Sequence, residues 1–160
     1  MAIRPATPAD LPVLGRLGAL LVETHHRLNA SRFIPATQGT ERSYASYLGT
    51  QLGGPSVVVL VAERDGTVIG YSYAGVEGYD YMTLRGPAGV LHDIVVEPGE
   101  RGQGIGRMLL GATLSALEDR GAPQVVLWTA SRNEAAQRLF AGAGFRQTMI
   151  EMTRERSAPG

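Results

Sequence analysis

The chain contains no cysteine. Disulfide bonds, thiolate metal ligands and a covalent cysteine acyl-enzyme are therefore excluded. Long apolar runs are absent as well: none approaches the roughly 18 residues needed to cross a bilayer, and no signal-peptide core follows Met1. These absences predict a soluble protein of the cytoplasm that needs no membrane partner.

Neither sign of charge is in excess, since 15 basic residues balance 15 acidic ones. This balance argues against a nucleic acid held by bulk charge. Histidine is scarce too. The adjacent pair His25 and His26 would point about 100° apart on a helix, and no carboxylate lies at ligand spacing, so no metal site is expected. A length of 160 residues suits one domain over residues 1–160, and residues 154–160 are expected to fray.

Hydrophobic periodicity predicts alternating strands and helices. Strands are predicted at residues 3–6, 57–62, 68–74, 90–96, 124–128 (as a buried strand) and 145–153. Helices are predicted from Thr7 or Asp10 to about residue 26, over 40–52, from the turn at 101–107 to Arg120-Gly121, and over 133–141. The resulting order is β-α-α-β-β-β-α-β-α-β. It indicates an α/β fold in which helices pack on a mixed sheet of six strands.

A glycine-rich turn at residues 101–107 follows the strand at 90–96 and opens a helix. Such a turn leaves backbone N–H groups free at the positive end of a helix, which favours a phosphate ligand. A P-loop is excluded because no Gly-Lys-Ser/Thr ends the turn, and a Rossmann fingerprint fails because Arg107 stands in place of its third glycine. A purely structural strand-to-helix turn is the alternative.

The pattern Arg101-x-x-Gly104-x-Gly106 resembles the acetyl-CoA pyrophosphate loop of the GNAT superfamily of N-acetyltransferases. Residues 3–11 resemble the first strand and helix start of that family. Residues 133–145 resemble its C-terminal signature, Asn-x-x-Ala-x-x-x-Tyr followed by Gly-Phe. Three matching segments in the right order span nearly the whole chain. The resemblance implies the GNAT fold, with acetyl-CoA as co-substrate.

The resemblance also implies which residues hold acetyl-CoA. These are the backbone of Ile94, Val95 and Val96, the turn formed by Arg101, Gly102, Gln103, Gly104, Ile105, Gly106 and Arg107, and the later residues Asn133 and Phe140. For several of them a structural role is the alternative: Ile94, Val95 and Val96 as core strand, Asn133 as a helix cap, and Phe140 as helix core.

Phe140 departs from the family pattern, which often has a tyrosine whose hydroxyl protonates the CoA thiolate. Phenylalanine has no proton to give, so water, the substrate ammonium or another hydroxyl must serve. The candidate hydroxyls are those of Tyr71, Tyr73, Tyr79, Tyr81 and Ser131.

His92 and Asp93 are the candidate catalytic residues. An alkylamine with a pKa near 10.4 is mostly protonated at neutral pH, and presenting it as the free amine costs about 4.6 kcal/mol. Histidine suits this task as a general base, and serotonin-type members of the superfamily carry a histidine at the same offset from the turn. Strict alternation would put His92 and Asp93 on opposite faces, whereas a bulge near Asp93 would break it. The sequence leaves open which of the two faces the substrate, and a hydrogen-bonded strand histidine is the alternative for His92.

The expected reaction is direct acetyl transfer to a primary amine, preferably of a small cationic molecule. Weak candidates for the acceptor pocket are Phe33, Glu77, Tyr79, Asp80 and Tyr81, whose acidic members together with Asp93 would suit a cation. A protein N-acetyltransferase and a non-catalytic acyl-CoA sensor are the alternatives. A homodimer is compatible with the resemblance.

Overall fold

A computed structural model describes residues 1–159 as one sheet covered by helices. The strands are β1 (Ala2–Pro5), β2 (Val57–Arg64), β3 (Thr67–Glu77), β4 (Ala88–Val96) and β5 (Val125–Leu127), and the helices are α1 (Leu11–Leu28), α2 (Thr40–Gln51), α3 (Ile105–Asp119) and α4 (Glu134–Gly142). The strands lie in the order β1-β2-β3-β4-β5. The first four are antiparallel, and β5 is parallel to β4. The predicted α/β class with a mixed sheet is confirmed.

Local sequence signals explain where several elements begin and end. A capping box formed by Thr7 and Asp10 closes the short 3₁₀ turn Pro8–Asp10 that leads into α1. The hairpin between β2 and β3 turns at Asp65 and Gly66, which both have positive φ, as a tight hairpin turn demands. A second 3₁₀ turn, Pro98–Glu100, precedes the glycine-rich turn. Neither 3₁₀ turn was predicted.

The helices cover the two faces of the sheet, with α1 and α2 on one and α3 and α4 on the other. On the first face, Leu14 and Leu17 of α1 pack against Tyr71 and Val95. On the second, Leu110 of α3 packs in a cluster with buried residues of the strands and of α4: Val58, Ala74, Leu91 and Phe140. This two-sided burial explains why β3 reads as a nearly continuous apolar run.

The sixth strand predicted over residues 145–153 is not formed. Residues from Phe145 onward have no regular secondary structure among those described. Two features explain the difference. First, β5 ends at Leu127 and offers an edge of only three residues to a further strand. Second, Glu151 forms an ion pair with Arg32 on the loop after α1. The exposed side chains of Met149, Ile150 and Met152 follow from this course.

The strand predicted at residues 124–128 is shorter than expected and is not buried. Its residues Val125–Leu127 are half-buried, and Trp128 is 61% exposed. Among residues 1–159 no strand pairs with the outer edge of β5. Residues 154–159 lack regular secondary structure, and Gly160 lies outside the described residues. Within residues 1–159 no helix has the length and apolarity needed to span a bilayer.

Candidate active site

The strands β4 and β5 separate halfway along β4. Their parallel pairing joins Gly89 to Val125 and ends where Leu91 faces Leu127. Beyond that point β4 continues to Val96 and pairs only with β3. The N–H group of Glu97 donates to the carbonyl of Ile69 in β3. Because the backbone N–H and C=O groups of successive residues in a strand point to opposite sides, those of Ile94 and Val96 point away from β3, to the side that β5 has left. The Val96 carbonyl accepts a hydrogen bond from Arg101, while the Val96 N–H and the backbone groups of Ile94 have no partner within residues 1–159. These free groups form a slot that an extended ligand with amide groups can enter.

The turn after β4 presents a row of free backbone donors. Gly102 and Gly104 have positive φ, and Gly104 is the N-cap of α3. None of the backbone N–H groups from Gly102 to Arg107 has a hydrogen-bond partner within residues 1–159. A Cβ atom added at Gly102 or Gly104 would meet nothing within 4 Å, so the space before the turn is open. These donors and the dipole of α3 fit a pyrophosphate.

Several side chains around the turn form hydrogen bonds or ion pairs with residues of the turn or next to it. Arg101 donates from Nε to the carbonyl of Val96 at 3.1 Å. Arg64 forms an ion pair with Glu100 at 2.5 Å and also donates to Gln103 at 3.2 Å. Arg107 is exposed and forms no ion pair among residues 1–159. Of the predicted phosphate contacts, Arg107 is therefore a free cation, while Gln103 already has partners.

A β-bulge determines which way His92 and Asp93 point. Tyr73 pairs with Asp93 and Ala74 pairs with Leu91, so His92 is the extra residue. The side chain of His92 stacks on the ring of Tyr73 with centroids 4.9 Å apart, and Asp93 contacts Tyr71. Both side chains therefore lie on the α1–α2 face, which strict alternation forbids.

Asp93 is buried and already has hydrogen-bond partners. Its Oδ2 atom accepts hydrogen bonds from the hydroxyls of Tyr44 and Tyr71, both at 2.9 Å. Burial raises the pKa of the Asp93 carboxyl, although the two phenols and the nearby His92 and His25 act in the opposite direction. Through its hydrogen bond with Tyr44, Asp93 connects α2 to the sheet.

His92 is the more accessible of the two, with 34% of its side chain exposed. Its Nε2 atom lies 3.0 Å from Oε1 of Glu77. The other carboxylate oxygen of Glu77 lies 3.6 Å from Nη2 of Arg85. The carboxylate of Glu77, predicted as a weak candidate for the acceptor pocket, therefore contacts both a histidine and an arginine.

Three of the other predicted acceptor residues lie together in the loop between β3 and β4, and the fourth, Phe33, lies in the loop after α1. Tyr79 and Tyr81 stack in the loop between β3 and β4 and are 70% and 77% exposed. In the same loop, Asp80 accepts hydrogen bonds from the backbone N–H groups of Met82 and Thr83 at 2.9 and 3.4 Å. Phe33 lies across the α1–α2 face, edge-on to His25. The acidic residues predicted for a cationic pocket therefore all have protein partners.

Asn133 and Phe140 both have structural roles in α4. The side chain of Asn133 accepts a hydrogen bond from Ala136 N–H at 3.2 Å. Asn133 therefore caps the start of α4, which is the structural role considered for it above. Phe140 is 7% exposed and packs edge-on against Phe145. It belongs to the apolar cluster between α3 and the sheet.

The hydroxyls considered as thiolate acids differ in their surroundings. Tyr71 is fully buried, and burial and the charge of Asp93 raise its pKa well above the usual value. The pKa of Tyr73 is also raised, mainly by burial and by its hydrogen bond with Tyr47. Such phenols hold their protons tightly. Tyr79, Tyr81 and Ser131 are exposed.

Several residues of this region were not predicted from the sequence. Arg85 lies within ion-pair distance of Glu77. Gln137 donates to the carbonyls of Ala130 and Ser131 at 2.9 and 3.0 Å and so holds the loop before α4. Their only sequence signal is a polar residue type close to a strand end or on a short helix. That signal is shared by many surface residues.

Two cavities flank α1. One of about 210 Å³ is lined by Leu21, Val22, His25, Phe33 and Ile34. A larger one of about 420 Å³ lies at the Glu97 end of β4, away from His92, and Arg16, Glu23 and Glu41 are among its lining residues. Among residues 1–159 no group of three or more histidine or acidic side chains is placed to hold a metal ion.

The chain is similar in sequence to curated acetyltransferases. Over 96 residues the chain is 38% identical to a mycothiol acetyltransferase of Thermobispora bispora, a match that covers 58% of this chain and 31% of that protein. The chain thus spans about a third of this relative. Over 116 residues it is 33% identical to the L-methionine sulfoximine/L-methionine sulfone acetyltransferase of Salmonella typhimurium, which covers 70% of this chain and 63% of that protein.

Solved structures share the fold at lower identity. The BH1408 protein of Bacillus halodurans, as a tetramutant, superposes with a TM-score of 0.82 at 23% identity over 98% of this chain and 100% of that one. The aminoglycoside N-acetyltransferase AAC(6')-Iy, solved in complex with CoA, superposes with a TM-score of 0.73 at 19% identity over 98% and 95% of the two chains. The model of the acetyltransferase (GNAT) family matches residues 22–145. This chain therefore belongs to the GNAT family of acetyltransferases.

Proposed function

We propose that this acetyltransferase moves the acetyl group of acetyl-CoA to a primary amine of a small molecule by direct attack, with His92 as the general base. The observation that carries the proposal is the position of His92. It lies on the bulge immediately after Leu91, the last residue of β4 that pairs with β5. The base is thus beside the slot whose free backbone groups would hold the thioester.

The proposed contacts with acetyl-CoA extend from the slot beside β4 to the start of α3. The backbone groups of Ile94 and the N–H of Val96 bind the pantetheine arm, while the side chains of both residues pack toward α3. The N–H groups from Gly102 to Arg107 bind the pyrophosphate, and Arg107 adds a charge. Acetyl-CoA supplies an activated acetyl group, and the protein supplies position and a polarising environment.

His92 accepts the proton that the attacking ammonium must lose. Holding the free amine at neutral pH costs about 4.6 kcal/mol, and a base within hydrogen-bond reach removes the need to take that amine from bulk water. After the C–N bond has formed, the nitrogen loses its second proton to water as the C–S bond breaks and the CoA thiolate leaves. The buried phenols of Tyr71 and Tyr73 are poor acids for this thiolate, so we assign its proton to water.

The acceptor is a small molecule rather than a protein in this proposal. His92 is partly enclosed by the ring of Tyr73 and by Glu77. Enclosure favours a compact amine. The relatives named for mycothiol and for L-methionine sulfone are in keeping with such an acceptor.

A thiol-release assay across an amine panel tests this function. The chain has no cysteine and no lysine, so a thiol reagent reads only released CoA, and the only amine of the protein itself is at its N-terminus. The panel contains a linear polyamine, an aminoglycoside, L-methionine sulfone and a lysine peptide, with product masses recorded.

Amine-dependent thiol release with an acetylated small molecule would support the proposal. Acetylation of the lysine peptide alone would make the chain a protein acetyltransferase. Tight acetyl-CoA binding with no acetylated product from any amine would favour a sensor.

A further inference from the structure

We infer that Glu77 is a positioning residue that fixes the tautomer of His92, so that Nδ1 is the nitrogen that takes the substrate proton. This inference rests on the proposed role of His92 as base. It concerns an interaction that links the end of β3 to the bulge of β4, and it assigns Glu77 a role other than binding the acceptor.

The first step is the direction of the hydrogen bond. Nε2 of His92 lies 3.0 Å from Oε1 of Glu77. An ionised carboxylate can only accept hydrogen bonds, so Nε2 must carry the proton. In the neutral imidazole the lone pair is then on Nδ1. No hydrogen bond to Nδ1 of His92 is made within residues 1–159, so this nitrogen is free to act.

The second step is where Nδ1 lies. Nδ1 is bonded to Cγ and is therefore the ring nitrogen nearer the backbone of β4, whereas Nε2 points outward to the end of β3. The proposed slot is formed by that same backbone. An amine attacking a carbonyl in the slot would thus be nearer to Nδ1 than to Nε2.

The third step is that both partners are held in place. The ring of Tyr73 stacks on His92 at an interplanar angle of 25°, which limits rotation of the imidazole. Arg85, whose side chain is only 11% exposed, lies 3.6 Å from the second oxygen of Glu77. A ring packed on one face and hydrogen-bonded at one nitrogen has one well-defined orientation for proton transfer.

Nuclear magnetic resonance tests the tautomer directly. Long-range ¹H–¹⁵N spectra distinguish a protonated from an unprotonated ring nitrogen, and a His92→Gln spectrum assigns the signals of His92 among three histidines. In the wild type we expect the neutral ring to be protonated at Nε2. In Glu77→Gln, whose amide can donate as well as accept, we expect a mixture of both tautomers. Glu118→Gln, an exposed change of the same charge on α3, should leave the spectrum unchanged.

Kinetics completes the test. We expect Glu77→Gln to lower kcat by about 10- to 100-fold at saturating acetyl-CoA, with the Kd for CoA unchanged. A wild-type tautomer in Glu77→Gln would overturn the inference whatever the activity. A mixed tautomer with an unchanged kcat would also overturn it, because the pair would then be structural only. If the wild type acetylated no amine, the proposed function would fail, and the spectra would still report on the Glu77–His92 bond.

Discussion

Gly18 of α1 lies directly against the ring of Tyr44 of α2, so closely that a Cβ atom at residue 18 would stand 2.2 Å from Cδ1 of the tyrosine. The close approach of the two helices lets the hydroxyl of Tyr44 reach Asp93 in the sheet. A glycine on one helix thus sets the surroundings of the residue beside the proposed base.

Gly18→Ala is expected to destabilise the protein by about 1–3 kcal/mol, because the added methyl group must displace the half-buried ring of Tyr44. Urea unfolding measures the change. Gly111→Ala is the matched control, since a Cβ there meets nothing within 4 Å, and alanine in a helix is favoured over glycine by up to about 1 kcal/mol. Equal effects of the two changes would contradict the role given to the Gly18–Tyr44 contact.

Gly106→Glu is expected to weaken CoA binding by at least about 100-fold, because a carboxylate at the first turn of α3 opposes the phosphates and occupies their site. Calorimetry on the folded variant gives the Kd. Gly106→Ala should bind normally, since its Cβ would make an ordinary contact of 3.5 Å with Leu139. An unchanged Kd in the glutamate variant would remove this turn from the cofactor site.

His92→Gln is expected to lower kcat/KM by about 10²- to 10⁴-fold while leaving the Kd for CoA unchanged, as removal of a general base does. The acidic limb of the pH–rate profile should disappear with it. His26→Gln removes a histidine from α1, where Nδ1 contacts the Phe33 carbonyl, and should keep that limb. If Asp93→Asn alone abolished the limb, Asp93 would be the base.

Asp93→Asn is expected to change how stability depends on pH. Burial raises the pKa of the Asp93 carboxyl in the folded protein above its ordinary value. A group with a raised folded pKa supports folding while it is protonated, and that support is lost as the pH rises through the folded pKa. The free energy of unfolding of the variant, relative to wild type, should therefore increase from pH 4 toward neutrality. Urea titrations at several pH values measure this difference, and a flat difference would contradict it.

Asp10→Asn is expected to show the opposite pH dependence. Its bidentate hydrogen bonds from Arg4, at 2.8 and 3.0 Å, are the main reason that the pKa of Asp10 is lowered to about 2. A lowered pKa means stability that is present above the unfolded value and lost as the pH falls through the folded one. The variant should be less stable by about 2 kcal/mol at pH 7, and the difference should shrink toward pH 2. Asp119→Asn, an exposed change at the end of α3, should stay within about 0.5 kcal/mol of wild type.

Much of the fold could be predicted because its signals are local. The hairpin at Asp65-Gly66 follows from the left-handed conformation that these residue types tolerate. The start of α3 after Gly104 follows from the left-handed conformation that glycine tolerates and from the spacing of the apolar residues in the helix. The segment after α4 could not be predicted in this way. Its alternating pattern suits a strand, but a strand forms only where a partner edge is available, and β5 ends at Leu127.

The sequence by itself determined the turn from Arg101 to Arg107, the order of elements through α4 and the family, because backbone preference and hydrophobic periodicity act over a few residues. Only the tertiary structure decided which groups surround His92. The bulge that turns His92 and Asp93 to one face depends on the register between β3 and β4. The contact of Glu77 with His92 joins residues 15 positions apart in the chain. Such pairings depend on how distant strands align, and no local pattern around either residue contains that information.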